Sequence, residues 1–174
     1  LVDQVDGRPG KVTGNDIKAA EERAIEIAEE LGAYYVDQFN NESSVSAHFN
    51  HTGPEIYEEM GETLGAFVAG VGSGGTFIGT SKYLKSQNAK IVCAAVEPTG
   101  SEVLAGKPIT NAVHNMQGMG YGQIVPQWQP HLADEFLAVS SEEATKFRQM
   151  LSKNEGLYVG FSAAANVCAS IKLL

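Results

Sequence analysis

The segment GVGSGGTFIG, residues 70–79, constrains the fold of this chain more than any other feature. Five of its ten residues are glycine, and the apolar run AFVA precedes it directly. Glycine tolerates backbone conformations and close contacts that other residues do not, so such a loop is used where something approaches the main chain closely. Three partners fit this description: a dinucleotide, a phosphorylated cofactor, or a neighbouring helix.

Short β-like runs alternate with amphipathic helical patterns along the chain, and this alternation predicts an α/β fold with a largely parallel sheet. The predicted strands are LVDQV (1–5), AYYV (33–36), AFVAGV (66–71), KIVCAAVEP (90–98) and LYVG (157–160). The predicted helices cover residues 17–31, 54–64, 76–87, 142–155 and 162–174. Cap signals accompany two helices: Thr13 with Asp16 and Gly32 for the first, and Ser140 with Glu143 and Gly156 for the fourth.

Two segments lack a clear helical or strand pattern. Residues 37–53 are polar and turn-rich, which indicates a crossing between two subdomains. Residues 99–136 form a long irregular stretch, and a loop of this length inside a compact protein is commonly functional. The last helix reaches Leu174 without a stop signal, so we expect the chain to be part of a longer protein.

Composition argues against several classes of partner. The chain has 12 basic and 21 acidic residues and a formal net charge of -9, which repels polyphosphate backbones and disfavours nucleic-acid binding. No apolar run approaches the roughly 20 residues that span a bilayer, and no signal-peptide pattern opens the sequence, so we expect no membrane partner. Cys93 and Cys168 lie in apolar stretches without metal-binding spacing. We therefore expect two buried free thiols, no metal site and a cytoplasmic protein.

The glycine loop matches the template of a dinucleotide-binding turn. Gly70, Gly72 and Gly75 satisfy G-x-G-x-x-G between a predicted strand and a predicted helix. Glu97 ends the next predicted strand, where a dinucleotide fold places the acid that binds the ribose. This pattern is typical of a nicotinamide-dependent dehydrogenase.

A phosphate-binding cup is the second interpretation of the same loop. Successive unhindered amides, two hydroxyls and the positive end of the following helix suit a dianionic monophosphate. The hydroxyls of Ser73 and Thr76 favour this interpretation, because a pyrophosphate crossing requires bare backbone at those points. A tight strand-to-helix turn that binds nothing is the third interpretation.

Six short segments occur in the order and spacing of one enzyme family: DQFNN (37–41), TGPEI (52–56), GSGGT (72–76), VEP (96–98), HNMQGMG (114–120) and GFSAAA (160–165). In these segments the chain resembles the cysteine synthase/cystathionine β-synthase family of pyridoxal-phosphate enzymes. The resemblance implies fold type II, a tryptophan synthase β-like α/β architecture of three layers with a parallel sheet and two subdomains. Residues 1–36 would end the small, mobile subdomain, and residues 37–174 would form most of the larger, cofactor-binding one. Members of this family are usually homodimers.

The resemblance also implies roles for individual residues. Five loop residues would hold the phosphate of pyridoxal 5'-phosphate: Gly72, Ser73, Gly74, Gly75 and Thr76. Ser162 would bond the pyridine nitrogen, Gln38 would bind the substrate α-carboxylate, and Gly118 and Gly120 would line the substrate face. Without the resemblance, Ser162 is a candidate helix cap, Gln38 a turn residue and the two glycines ordinary loop residues. His48 and His114 are interpreted as structural or exposed.

The activity implied is β-replacement on an activated serine. Cysteine synthase, which converts O-acetylserine and sulfide to cysteine and acetate, is the leading hypothesis, and cystathionine β-synthase, which uses homocysteine, is the alternative. A nicotinamide-dependent dehydrogenase and a non-catalytic ligand-binding module are more distant alternatives. The family's Schiff-base lysine lies in a motif like S-S-x-K-x-R, which is absent from these residues, so we expect that lysine upstream of Leu1 and name no catalytic residue here.

Overall fold

The structure, a computed structural model, describes residues 14–174. The strand predicted at residues 1–5 and the cap predicted at Thr13 lie outside the described residues. The α-helices are α1 (Gly14–Leu31), α2 (Ser43–Ala47), α3 (Gly53–Met60), α4 (Gly75–Gln87), α5 (Ser141–Met150) and α6 (Phe161–Leu173). The strands are β1 (Ala66–Gly70), β2 (Val92–Pro98) and β3 (Glu135–Val139). Short π-helical turns cover His48–Thr52 and Leu151–Glu155, and 3₁₀ turns cover Gly61–Thr63 and Pro130–Leu132.

The three strands of the described chain form one parallel sheet in the order β1-β2-β3. Ala66 pairs with Val92 and Gly70 with Val96, so β1 and β2 run in register over the whole of β1. The chain passes from β1 through α4 to β2, which makes a βαβ unit with the glycine loop at the carboxyl end of β1. The predicted parallel α/β fold is confirmed.

Successive residues of β2 enter two different cores. Cys93 belongs to a buried cluster with Phe77 of α4, whereas Val96 belongs to a second cluster with Ala144 of α5 and Ala165 of α6. Side chains alternate between the two faces of a strand, so a strand covered on both faces is apolar at almost every position. The sheet therefore lies between two helical layers, as predicted.

Two predicted strands are absent from the described part of the chain. Residues 33–36 and 157–160 carry β-forming side chains, but neither segment pairs with a strand among residues 14–174. Tyr34 and Tyr158 are 82% and 81% exposed. Because β propensity expresses how well a side chain fits a half-buried sheet, it forms no strand without a partner. Both strand predictions are wrong for this structure.

Two regular elements were not predicted. Residues 43–52 form α2 and a π-helical turn where the composition predicts turns, because tight packing against α4 overrides the weak helical preference of serine and asparagine. β3 begins inside the segment 99–136, which is otherwise irregular apart from a 3₁₀ turn. Only the last residue of β3, Val139, is fully buried, so the strand carries little of the apolar signal on which its prediction would depend.

The caps and thiols agree with the predictions. The Ser140 hydroxyl accepts a hydrogen bond from the Glu143 amide at 3.1 Å, and the Glu143 carboxylate accepts one from the Ser140 amide at 2.8 Å. Gly32 and Gly156 end their helices with φ of 58° and 69°. Cys93 and Cys168 are free and buried. The helix of Ser140 keeps α-helical geometry to Met150 and continues as the π-helical turn Leu151–Glu155.

A polar clamp joins the start of β2 to the residue before β3. The Asp134 carboxylate accepts hydrogen bonds from Lys85 Nζ at 2.6 Å and from the buried Cys93 amide at 2.7 Å. Lys85 Nζ also donates to the carbonyl of Ile91 at 3.2 Å. Partial burial opposes ionisation of Asp134, but the bonds from Cys93 and Lys85 outweigh it and lower the pKa of Asp134.

We expect Asp134→Ala to lower the free energy of unfolding by about 1–3 kcal/mol, because the Cys93 amide would be buried without a partner. Asp134→Asn keeps an acceptor, so it should cost less. A lowered pKa stabilises the fold above the unfolded pKa of about 4 and loses this contribution as the pH falls through the folded value. The difference between wild type and Asp134→Asn should therefore shrink in acid. Urea unfolding at several pH values measures this difference in the free energy of unfolding, with Glu135→Gln as the control. A difference that does not depend on pH would contradict the contribution of the ionised Asp134 carboxylate.

Candidate active site

The glycine loop connects β1 to α4 at the carboxyl edge of the sheet, where ligands of open α/β folds bind. Gly74 is the N-cap of α4 and has a φ of 98°, a left-handed conformation that favours glycine. The first amides of a helix have no partner within the helix, and the helix dipole makes this end positive. The loop therefore presents free N–H groups and partial positive charge.

A cavity of about 200 Å³ lies in the loop. Its lining residues are uncharged: Gly70, Gly72, Ser73, Gly74, Gly75, Thr76, Phe77 and Gly118. The structure thus brings all five predicted phosphate-binding residues together with Gly118, a predicted substrate-face residue 42 positions beyond Thr76.

The five glycines of segment 70–79 allow different neighbouring groups to approach the backbone closely. A Cβ on Gly72 would collide with the carbonyl oxygen of Gly118. A Cβ on Gly75 would lie 2.6 Å from the Ser44 hydroxyl of α2, and one on Gly79 would collide with the Val45 carbonyl oxygen. The loop segment is therefore shaped both by the chain segment at Gly118 and by a neighbouring helix.

His48 is a site residue that sequence reasoning missed. Its Nε2 lies 3.0 Å from the Thr76 hydroxyl, and its Nδ1 lies 2.9 Å from the Thr52 hydroxyl. The interpretation of His48 as merely structural or exposed therefore leaves out a direct contact with a loop hydroxyl. The available signal was the spacing of four residues between His48 and Thr52, which brings side chains together on a helix. That signal was lost because this segment was expected to consist of turns.

Ser162 and Gln38 do not line the loop cavity. Ser162 is the second residue of α6 and is exposed; the N-cap is Gly160, so the interpretation of Ser162 as a helix cap is wrong. Gln38 is exposed in the turn before α2, where its carbonyl accepts a hydrogen bond from Gln127 Nε2 at 3.3 Å. It borders an apolar groove beneath α1 instead of the loop cavity.

Gly120 holds the Gly118 segment against the loop. It has a φ of 65°, its amide donates to the Val71 carbonyl at 3.2 Å, and a Cβ there would collide with Pro98. Its own carbonyl accepts hydrogen bonds from His114 Nε2 at 3.0 Å and from the Ser101 hydroxyl at 3.2 Å. Gly120 and His114 therefore act by packing and bonding within the protein.

Glu97 is not available for a ribose. It is 2% exposed, and its carboxylate accepts hydrogen bonds from the amides of Leu104 at 2.9 Å and Ala105 at 3.1 Å. Burial raises the pKa of Glu97, although these two bonds oppose the shift. The acid that completes the dinucleotide template is occupied in organising the segment after β2.

A family model described as pyridoxal-phosphate dependent enzyme matches residues 7–174. The chain belongs to this family. Cysteine synthase A of Escherichia coli (strain K12) is 38% identical to it over 162 residues, which cover 86% of this chain and 50% of that protein. The chain spans about half the length of the curated relatives it matches.

Solved structures agree with this assignment. The cysteine synthase of Entamoeba histolytica superposes with a TM-score of 0.81 at 33% identity, over 89% of this chain and 45% of that one. The O-acetylserine dependent cystathionine beta-synthase of Helicobacter pylori superposes with a TM-score of 0.83 at 37% identity, over 90% of this chain and 51% of that one. These matches confirm the predicted fold type II architecture and, at the level of the family, the predicted cofactor.

The loop cavity fits the phosphate of that cofactor. It combines unhindered amides, the hydroxyls of Ser73 and Thr76 and the start of α4, and no carboxylate lines it.

Within residues 14–174, no cluster of three or more His, Cys, Asp or Glu side chains could hold a metal ion. In the same part of the chain, no helix is long and apolar enough to cross a membrane.

We expect Gly72→Ala to reduce retention of pyridoxal phosphate severely, because its methyl group would force the loop and Gly118 apart. Gly65→Ala is the matched control, since a Cβ there meets nothing within 4 Å. The cofactor absorbance per chain after dialysis measures the effect, and overpacking should also cost about 1–3 kcal/mol of stability. A Gly72→Ala protein that retains the cofactor as well as Gly65→Ala would contradict the phosphate site.

Proposed function

We propose that the protein to which this chain belongs catalyses a pyridoxal-phosphate dependent β-replacement on an activated serine, as a cysteine synthase that converts O-acetylserine and sulfide to cysteine and acetate. The observation that carries the proposal is the uncharged loop cavity at the start of α4, in a chain 38% identical to a cysteine synthase. Pyridoxal phosphate, when bound, supplies an electron sink that stabilises negative charge at the substrate α-carbon.

Phosphate binding falls to residues 72–76 in this proposal. The loop amides and the start of α4 stabilise a dianion, and the hydroxyls of Ser73 and Thr76 donate to it. His48 orients the second hydroxyl. If Thr52 donates to Nδ1 of His48, then Nε2–H donates to Thr76 Oγ1, and the Thr76 proton stays free for the phosphate.

Ser162 and Gln38 bind other parts of the cofactor and substrate in this proposal. The neutral hydroxyl of Ser162 does not force protonation of the ring nitrogen as a carboxylate would, which favours β-replacement over transamination. Gln38 holds the substrate carboxylate, Gly118 leaves room for the substrate, and Gly120 contributes to the substrate face by fixing the segment that carries Gly118. Residues 1–36 belong to the small subdomain, whose closure over residues 37–174 excludes water.

Proton transfer at the substrate requires the Schiff-base lysine expected upstream of Leu1. The lysines next to the loop have other contacts in the structure. Lys85 pairs with Asp134, and Lys82 lies 5.8 Å from the centre of the Phe49 ring. The chain described here therefore supplies anchoring and orientation in the proposed reaction.

Cystathionine β-synthase activity is the second candidate. The observation in its favour is the likeness to the Helicobacter pylori structure, whose name combines O-acetylserine with cystathionine synthesis. The two activities share the steps up to loss of acetate and differ only in the nucleophile that follows.

The full-length protein tests both candidates. We expect O-acetylserine alone to change the visible absorbance of the bound cofactor, and sulfide then to yield cysteine. Homocysteine in place of sulfide would yield cystathionine if the second candidate is right. A protein that binds no pyridoxal phosphate, or whose absorbance does not respond to O-acetylserine, would overturn the proposal.

Assembly and location are part of the same proposal. We propose a cytoplasmic homodimer with neither nucleic acid nor membrane as a partner. The two buried, free thiols support a reducing compartment. Light scattering of the full-length protein measures the subunit number.

We expect His48→Leu to raise the dissociation constant of pyridoxal phosphate about fivefold, the effect of losing roughly 1 kcal/mol of hydrogen bonding to Thr76. His48→Gln keeps an N–H that can reach the hydroxyl, so it should recover part of the affinity. His51→Leu, on the same π-helical turn but exposed, is the control. Equal affinity of the His48→Leu and His51→Leu proteins for the cofactor, measured by equilibrium dialysis, would refute this role.

A further inference from the structure

Asn166 connects two parts of the proposed site that are far apart in the sequence. It lies within α6, and its Oδ1 accepts a hydrogen bond from the Gly70 amide at 2.9 Å. Gly70 is the last residue of β1 and lines the loop cavity. The bond therefore joins α6 to the strand end from which the glycine loop starts.

The Gly70 amide requires a partner other than β2. Val71 donates to the carbonyl of Val96 on β2 at 3.3 Å. Successive amides of a strand point in opposite directions, so the amide of Gly70 points away from β2. Since a partly buried amide without a partner is costly, the side chain of Asn166 supplies the acceptor that a neighbouring strand would otherwise provide.

The space around Gly70 is closely filled. A Cβ on Gly70 would lie 2.5 Å from Met119 Sδ and 3.3 Å from Asn166 Oδ1. The absence of a side chain at Gly70 thus allows Asn166 to approach the backbone directly. Met119 belongs to the same segment as Gly118, so the contact lies beside the loop cavity.

Asn166 lies one helical turn after Ser162. Residues four apart on an α-helix share a face and are separated by about 6 Å along the axis. The bond that fixes Asn166 to β1 therefore also fixes the distance between Ser162 and the glycine loop. These are the two places where the proposed function puts the ring nitrogen and the phosphate of one cofactor.

We propose that Asn166 is a positioning residue that sets the separation between the phosphate-binding loop and Ser162. The proposal rests on the proposed function. Without the amide oxygen of Asn166, α6 and β1 can shift relative to each other, and the ring loses its fixed orientation while the phosphate stays bound. Loss of the ring orientation is expected to change kcat, the rate at which the bound substrate reacts, more than KM.

The test compares Asn166→Leu, which keeps the branched shape but has no acceptor, with Asn166→Asp, which keeps an oxygen acceptor, in the full-length protein. We expect Asn166→Leu to weaken the circular dichroism of the bound cofactor and to lower kcat about tenfold, with KM for O-acetylserine changed less than about twofold. In the apoprotein, the same variant should exchange the amides of residues 66–71 faster. Asn166→Asp should stay close to wild type in all three measurements.

Ser170→Ala is the matched control, because the Ser170 hydroxyl donates a hydrogen bond within α6, to the Asn166 carbonyl at 2.9 Å. If leucine prevents folding, Asn166→Ala is measured in its place, since it removes the acceptor without adding bulk.

A folded Asn166→Leu or Asn166→Ala variant with wild-type dichroism and kcat would overturn the role of Asn166. A wild-type protein that binds pyridoxal phosphate but forms neither product would overturn the proposed activity alone, because the dichroism still tests Asn166. A wild-type protein that binds no cofactor would overturn both.

Discussion

The close contact between the glycine loop and the segment at Gly118 is the constraint on which the rest of the site depends. No side chain fits at Gly72, because the Gly118 carbonyl oxygen occupies the position of its Cβ. On the other side, Ser44 and Val45 of α2 pack closely against Gly75 and Gly79 at the start of α4. A cavity lined by backbone amides is what remains between these two contacts. The glycines thus allow close packing of the neighbouring helix and also leave a cavity, so the two explanations of the motif are not exclusive.

The packing of the sheet explains why these segments meet. β2 is buried on both faces and packs against the helical layers on either side. Ligand binding in such a sheet takes place in the loops at the carboxyl ends of the strands. Three polar bonds then attach other segments of the chain to the unit formed by β1, the glycine loop and α4. Gly120 donates to Val71, Asn166 accepts from Gly70, and His48 contacts Thr76. Each bond comes from a different segment and ends within the strand–loop–helix unit, so the geometry of the cavity is set from several directions.

Local chemistry was predictable from the sequence, whereas contacts between distant segments were not. The capping box at Ser140 and the turn of the glycine loop depend on residues a few positions apart, and both are present as predicted. The strands at 33–36 and 157–160 failed because a strand requires a partner that propensity cannot supply. His48 and Asn166 reach the loop from 28 and 96 positions away. The spacing of His48 and Thr52 indicates only a contact between those two side chains, so the contacts of His48 and Asn166 with the distant loop segment are seen only in the folded chain.

Glu97 shows how the same strand–loop–helix pattern serves different ligands. A dinucleotide site needs a carboxylate that is free to accept the ribose hydroxyls. Here that carboxylate is buried and bonds the amides of Leu104 and Ala105, which shapes the segment after β2 that leads to Gly118. The acid has the right position in the sequence and even the right place at the strand end. Its hydrogen bonds, which the template does not include, commit it to the protein's own backbone, so the loop lacks the free ribose-binding acid that a dinucleotide site requires.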